Sequence, residues 1–246
     1  MTFLLLLLAH LTADFVLQGS AMANTKLNSR VVLLKHCLIY SAAILTVVIF
    51  YGSALQVVVL VTCIALSHFV VDSIRIWLQK RCLNSEKREF RRFAIDQFTH
   101  IAILVVASFF MQNMNFIGLF MSDIIYTYLS INFFAIIVVT TAYVICFHPS
   151  GVFVKKVFIR LGYQKLDAED DNINGFIIGV LERICILTLA IFGQFTAISF
   201  VIAAKSLARI KLLEDKDFAE KYLIGTLISV IIALVCGIAV QKILNI

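Results

Sequence analysis

Seven side chains in the first hundred residues have types and spacings suited to chemistry. His10 and Asp14 stand four residues apart, as do His68 and Asp72. Asp96 and His100 repeat the spacing in reverse order, and His36 stands alone between the first two pairs. Positions i and i+4 share a helix face, so each pair presents an imidazole beside a carboxylate. That donor set suits zinc, iron(II) or manganese(II). One tetrahedral ion needs four donors. Seven allow two ions, or one ion with aspartates left over to orient ligands or act as general bases. The candidate ligands are His10, Asp14, His36, His68, Asp72, Asp96 and His100, and the candidate bases are Asp14, Asp72 and Asp96. The expected cofactor is a divalent metal, zinc ahead of manganese or iron. A metal-free proton or ion path and plain hydrogen bonding between helices are the other readings of the same residues.

The surroundings give these residues weight. The chain has 246 residues, 61% hydrophobic and 15% charged, with one proline, 21 phenylalanines and a mean hydropathy of +0.99. Soluble domains are nearer 45–50% apolar and about 25% charged. The expected fold is therefore all-α, a polytopic transmembrane bundle of about eight spans. Apolar runs fall at residues 2–18, 31–51, 54–78, 94–113, 124–147, 175–193, 195–213 and 222–244. Each is near the ~20 residues a membrane crossing requires. Ionisable groups inside such runs are expensive and mark function by default.

The polar breaks set the orientation. Residues 19–35 hold Lys26, Arg30 and Lys35 without an acid. Residues 79–93 and 148–171 are also rich in lysine and arginine, whereas the breaks near 52 and at 114–123 have none. The positive-inside rule puts the charged loops in the cytoplasm and both termini outside. The net charge of +6 is explained that way. The expected partner is membrane lipid, not nucleic acid. Residues 116–129 read as an interfacial segment and 148–171 as a loop on the membrane surface. The first run precedes Ser20-Ala21-Met22-Ala23, which resembles a signal-peptide cleavage site. It lacks a positive leader, and His10 and Asp14 interrupt it, so residues 2–18 read as a retained helix. The six cysteines form no C-x-x-C and read as buried hydrophobes. Under this topology all seven candidate ligands fall within roughly two helical turns of one depth, at about 5.4 Å per turn, in the cytoplasmic leaflet.

A second constellation lies further on. Glu182 and Arg183 sit in the sixth run, and Lys205 and Arg209 in the seventh. Glu182 and Lys205 each stand about eleven residues from the apparent turn at Gly193-Gln194. A helical hairpin would set them at equal depth as a structural ion pair, lowering the burden each charge places on the membrane. Arg183, Lys205 and Arg209 are also candidates for contact with a phosphate, substrate or lipid headgroup. Glu220, Tyr222 and Thr226 open the last run beside this cluster. Gly175 and Gly179 form G-x-x-x-G, a helix-contact pattern.

The string His10-Leu11-Thr12-Ala13-Asp14-Phe15-Val16-Leu17-Gln18, followed by His36, His68-x-x-x-Asp72 and Asp96-Gln97-x-x-His100, resembles an uncharacterised bacterial integral-membrane family that carries only a "domain of unknown function" label. The resemblance covers the first ~110 residues closely. Gly179-x-Leu181-Glu182-Arg183 and Ala203-Ala204-Lys205-Ser206 also look like longer members of it. The histidine–aspartate pattern is more loosely similar to membrane-bound metal-dependent hydrolases of the SOS response. These resemblances imply a multi-pass protein of the bacterial inner (cytoplasmic) membrane with a metal site. The expected division is residues 1–113, a four-helix module carrying the His/Asp site, and residues 114–246, further membrane helices with the 148–171 loop.

The leading functional expectation is a metal-dependent hydrolase acting on a lipid or headgroup reached from the cytoplasm. A metal or proton-coupled transporter would use the same residues as a path, but the sequence offers it neither a proline-broken span nor an internal repeat. A non-catalytic sensor or partner-binding module is the third reading. No Walker A, G-x-S-x-G or Rossmann string is present, so a nucleotide-driven pump or serine hydrolase has no sequence support.

Overall fold

The buried side chains of the N-terminal helices recur every three or four residues. In the helix around His68 they are Val57, Leu60, Ile64, His68 and Asp72. In the helix around His36 they are Leu33, His36, Cys37, Tyr40, Ile44 and Val48. The outward faces are as apolar as the inward ones, with Leu38, Leu55, Val58, Phe98, Phe109 and Phe110 all exposed. A helix that is hydrophobic all round belongs in a bilayer.

The computed structural model describes residues 1–81, 86–114, 132–163 and 171–246. Helix α1 (Thr2–Leu11) runs into a π-helical turn (Thr12–Leu17) and is followed by a short α2 (Ser20–Thr25). Then come α3 (Arg30–Val48), α4 (Ala54–Arg81), α5 (Glu86–Gln112), α6 (Phe133–Phe147), α7 (Pro149–Arg160), α8 (Asp171–Ile191), α9 (Phe195–Ala208) and α10 (Lys216–Leu244). No strand occurs among the described residues. Five helical stretches are long and apolar enough to cross a membrane: Arg30–Val48, Ala54–Arg81, Arg88–Gln112, Phe133–Arg160 and Lys216–Leu244. Thr2–Leu17 and Phe195–Ala208 are shorter apolar helices. The interfacial segment expected at 116–129 lies outside the described residues.

The chain forms two compact units, Met1–Thr141 and Ala142–Ile246. In the first, α1 packs on α3 and α5, α3 on α4, and α4 on α5, closing a four-helix ring. Leu6, Tyr40, Ile44, Val48, Ile64, Leu104 and Met111 fill its core. Lipid offers these side chains no less apolar a home than the protein does. Close packing and interhelical polar contacts therefore hold the ring, not the hydrophobic effect. Gly52, at φ 67°, supplies the left-handed residue that turns α3 into α4.

In the second unit α10 packs on α8 and α7, and α9 folds back on α8. The α8–α9 turn is the Gly193-Gln194 turn expected from sequence. Gly193 takes φ 68°, Gln194 N–H bonds to Leu189 O at 2.8 Å, and Gly193 N–H bonds to Ala190 O at 3.0 Å. That pairing is a Schellman cap. The first half of the 148–171 segment is helix α7, which continues the apolar stretch Phe133–Arg160. Pro149 stands at the first helical position, where its missing N–H costs nothing. Two donors satisfy the Cys146 carbonyl beside the break, Ser150 Oγ at 2.9 Å and Arg183 Nε at 2.9 Å. The G-x-x-x-G expectation is corrected. A Cβ at Gly175 would meet nothing, and one at Gly179 would meet the chain's own Arg183 guanidinium. The close helix contact is made by Gly237, where a Cβ would collide with Ala190.

Candidate metal centre

All seven candidate ligands converge at one end of the N-terminal ring. The reason is local: the i, i+4 pairs continue the same inward stripe that carries the apolar core. The four histidines are 0–2% exposed, Asp72 is 2% and Asp96 is 4% exposed. Ring centroids of His68 lie 5.1 Å from His36 and 4.4 Å from His100, and His10 lies 5.4 Å from His100. Asp14 reaches the group from the π-turn, whose wider winding is marked by the Gln18 N–H bond to Ala13 O at 3.1 Å. Such turns are frequent at functional sites. Tyr40 stacks on His68 with centroids 3.6 Å apart and fixes the plane of that ring.

Four candidate ligand atoms stand out; among the described residues Asp14 Oδ1 has no hydrogen-bond partner, His36 Nε2 and His68 Nε2 bond each other, and Asp72 Oδ2 accepts from Lys26. His36 Nε2 and His68 Nε2 are 3.0 Å apart. Asp14 Oδ1 lies 3.5 Å from the first and 3.8 Å from the second. Asp72 Oδ2 lies 3.6 Å and 3.8 Å from them. Separations of 3.5–3.8 Å are too long for hydrogen bonds. Donors about 2.0–2.2 Å from one tetrahedral ion stand roughly 3.4 Å apart, close to this spacing. The triads His10–Asp14–His68, His36–His68–Asp72 and Asp72–Asp96–His100 each have ligand atoms within 4.8 Å of one another. His68 and Asp72 each belong to two triads, which would let them serve neighbouring ions.

Hydrogen-bond accounting tests whether this donor set fits a metal. Among the described residues, His10 Nδ1 and Nε2, Asp14 Oδ1, His36 Nδ1, His68 Nδ1, Asp96 Oδ1 and His100 Nε2 are buried with no hydrogen-bond partner. Buried polar groups are otherwise paired, because each unpaired one carries a desolvation penalty. A cluster of orphaned nitrogens and carboxylate oxygens, all Lewis bases in their neutral-imidazole and ionised-carboxylate forms, matches what a divalent ion takes.

Two cations that sequence reasoning did not place here occupy part of the site. Lys26, read as a loop residue, folds in and bonds Asp72 Oδ2 at 2.9 Å, with its side chain 6% exposed. With its amide turned to match its neighbours, the Gln18 side chain donates to the Asp14 carbonyl at 3.1 Å and accepts from Lys26 Nζ at 2.8 Å. Arg75, three residues after Asp72 on the same helix face, bonds Asp96 Oδ2 at 2.9 Å. Gln97 also donates to that oxygen, at 3.2 Å. The spacing of Arg75 was the available signal; Lys26 had none beyond its charge.

The second constellation divides. Lys205 pairs with Glu182 at 2.5 Å and donates to Thr226 at 2.9 Å, as the symmetric distances from the turn required. Ser206 and Tyr222 extend the cluster at 3.2 Å. Arg183, adjacent in sequence, points the other way, to Cys146 O. Arg209 caps the end of α9 and forms no ion pair with a described residue.

No curated protein and no solved structure matches the chain. One family model does, over residues 2–126, a range that contains all seven candidate ligands: the chain belongs to the family described as "Protein of unknown function (DUF3307)".

Proposed function

We propose that the protein is a metal-dependent hydrolase embedded in the bacterial cytoplasmic membrane, acting on a lipid or a headgroup-type substrate. The observation that carries this reading is the set of four buried histidines and three aspartates whose candidate ligand atoms come within 4.8 Å of one another in three triads, drawn from four helices and a π-turn into one site. His36, His68, Asp14 and Asp72 would hold the ion, with His10, His100 and Asp96 beside it. A bound divalent ion supplies Lewis acidity toward a carbonyl or phosphoryl oxygen. The chain supplies the rest. Asp96 is held at Oδ2 by Arg75 and Gln97 and keeps Oδ1 without a partner among the described residues, so it can take a proton there. Arg75, with its side chain 27% exposed, is the most open charged group of the cluster and is placed to meet an anionic headgroup. Elemental analysis of the full-length protein, purified without chelator, tests the reading. Near-stoichiometric transition metal in the wild type, lost in His68→Ala, is expected. Wild-type protein free of metal after reconstitution attempts would remove the hydrolase.

A metal or proton-coupled transporter is the second reading, and one observation favours it. The apolar stretch Phe133–Arg160 is broken at Pro149, and discontinuous spans are a mark of carrier sites. Metal or proton uptake into liposomes containing the purified protein, measured beside hydrolysis of headgroup substrates, separates the two.

A further inference from the structure

We propose that the break at Pro149 is a binding site for a phosphate-type oxyanion, held by Arg183 against the first turn of α7. The site lies wholly in the second unit and does not depend on the metal centre.

The first observation is an uncompensated charge. Arg183 is 3% exposed and its Nε is bound to Cys146 O, yet its Nη2 is buried without a partner among the described residues. The neighbouring acid makes no ion pair with it among the described residues. Glu182 is the next residue along the helix, so its side chain leaves in a different direction, and its Oε2 is engaged by Lys205. A guanidinium keeps its proton in proteins, so Arg183 cannot escape by becoming neutral. A buried, permanently charged fork with unused donors calls for a bidentate anion.

The second observation is where that fork lies. A Cβ at Gly151 would sit 3.3 Å from Arg183 Nη2, and one at Gly179 would sit 3.1 Å from Nη1. Gly151 belongs to the first turn of α7, a 12-residue helix whose N-terminal end carries positive partial charge. His148, the N-cap of the same helix, has a buried Nδ1 with no partner among the described residues. Two glycines therefore let the guanidinium pack close against both helices, and a helix N-terminus and an imidazole nitrogen flank it. The Phe176 ring lies over Gly151 and meets His148 edge-on at 5.3 Å. It is 38% exposed and forms the outer wall.

The chemistry selects phosphate. Arg183 offers parallel donors, and the helix end favours negative charge. The phosphate can come from a phospholipid headgroup or from free phosphate. The same donors serve both.

The test uses the full chain. In neutral detergent and phosphate-free buffer, the unfolding midpoint is followed against inorganic phosphate, with chloride at matched ionic strength as comparator. In parallel, nanodiscs of phosphatidylcholine with and without phosphatidylglycerol are analysed by native mass spectrometry for retained lipid. A saturable rise with inorganic phosphate identifies the free anion, and selective retention of phosphatidylglycerol identifies the headgroup. In whichever arm responds, Arg183→Gln should lose about tenfold or more in affinity, as removal of a charge-assisted hydrogen-bonding group does. Gly151→Ala, which keeps every charge but crowds Nη2 and Phe176, should lose binding too and decides the matter if Arg183→Gln does not fold. No response of the wild type in either arm overturns the proposal, as does equal binding by the wild type and a folded variant.

Discussion

Asp72 Oδ2 is claimed by two cations. Lys26 holds it at 2.9 Å, and the same oxygen is one of the four atoms spaced for an ion. With Lys26 and Arg75 in place, the three carboxylates exceed the cations by one. A divalent ion taking the place of Lys26 brings the count to neutrality. Lys26 is thus a competitor, and Lys26→Met should tighten zinc binding by about tenfold, the effect of removing one nearby like charge at an intermediate dielectric. Isothermal titration checks this; unchanged affinity would mean that Lys26 only pins its loop. His68→Ala should abolish most metal binding while circular dichroism stays helical, because His68 lies in two of the three triads and its helix is held by apolar neighbours. Asp72→Asn should weaken binding by at least the 10–100-fold expected of an orienting partner, and by more if Oδ2 ligates directly. Metal content should fall on acidification, since only neutral imidazole and ionised carboxylate ligate. All seven candidate ligands were legible in sequence because ionisable residues in apolar runs stand out and i, i+4 spacing fixes a shared face. Lys26 was not, because a lysine in a cytoplasmic break reads as a topology marker and its long side chain reaches where no periodicity points. Tyr40 was missed because an aromatic on an apolar stripe looks like core.

The α8–α9 hairpin was equally legible, since the Gly193 turn and equal sequence distances suffice to pair Glu182 with Lys205. Glu182→Ala alone should destabilise by about 3 kcal/mol, because it strands a largely buried ammonium, and the double replacement should cost less. A denaturation-based double-mutant cycle decides; additive losses would count against the pair. The contact between α8 and α10 was read at the wrong place. G-x-x-x-G drew attention to Gly175 and Gly179, but the pattern says nothing about which helix face meets a neighbour. Gly237 and Ala190 make the approach, so Gly237→Val should destabilise by about 1–3 kcal/mol through overpacking, whereas Gly175→Ala should be silent in the same melts. The break at Pro149 was not legible, because no proline-broken span was read from the sequence, and only the tertiary structure reveals an arginine from another helix supplying a donor there.

For the molecule as a whole, composition and run length led directly to an all-helical protein, and the eight apolar runs coincide with helical segments wherever they are described. Orientation rests on charge asymmetry. Lys80 and Arg81 end α4, and Lys155 and Lys156 lie on α7. Were all eight apolar runs to cross, the positive-inside rule would put these basic residues in the cytoplasm and both termini outside. A C-terminal alkaline phosphatase fusion should then be active and a C-terminal green fluorescent protein fusion dark. The opposite pattern would require an odd number of crossings or the reverse orientation.

The near-complete enclosure of the four histidines has a kinetic corollary. Histidines 0–2% exposed would offer a chelator no direct attack on an ion held among them. Release must wait for the chain to open, and the segment carrying Lys26 and Gln18 is the part that lies over Asp14 and Asp72. Stripping by a chelator should therefore proceed at a rate independent of chelator concentration, set by opening alone. Metal identity would then be decided largely by which ion is at hand when the helices close, and less by later exchange with the surroundings.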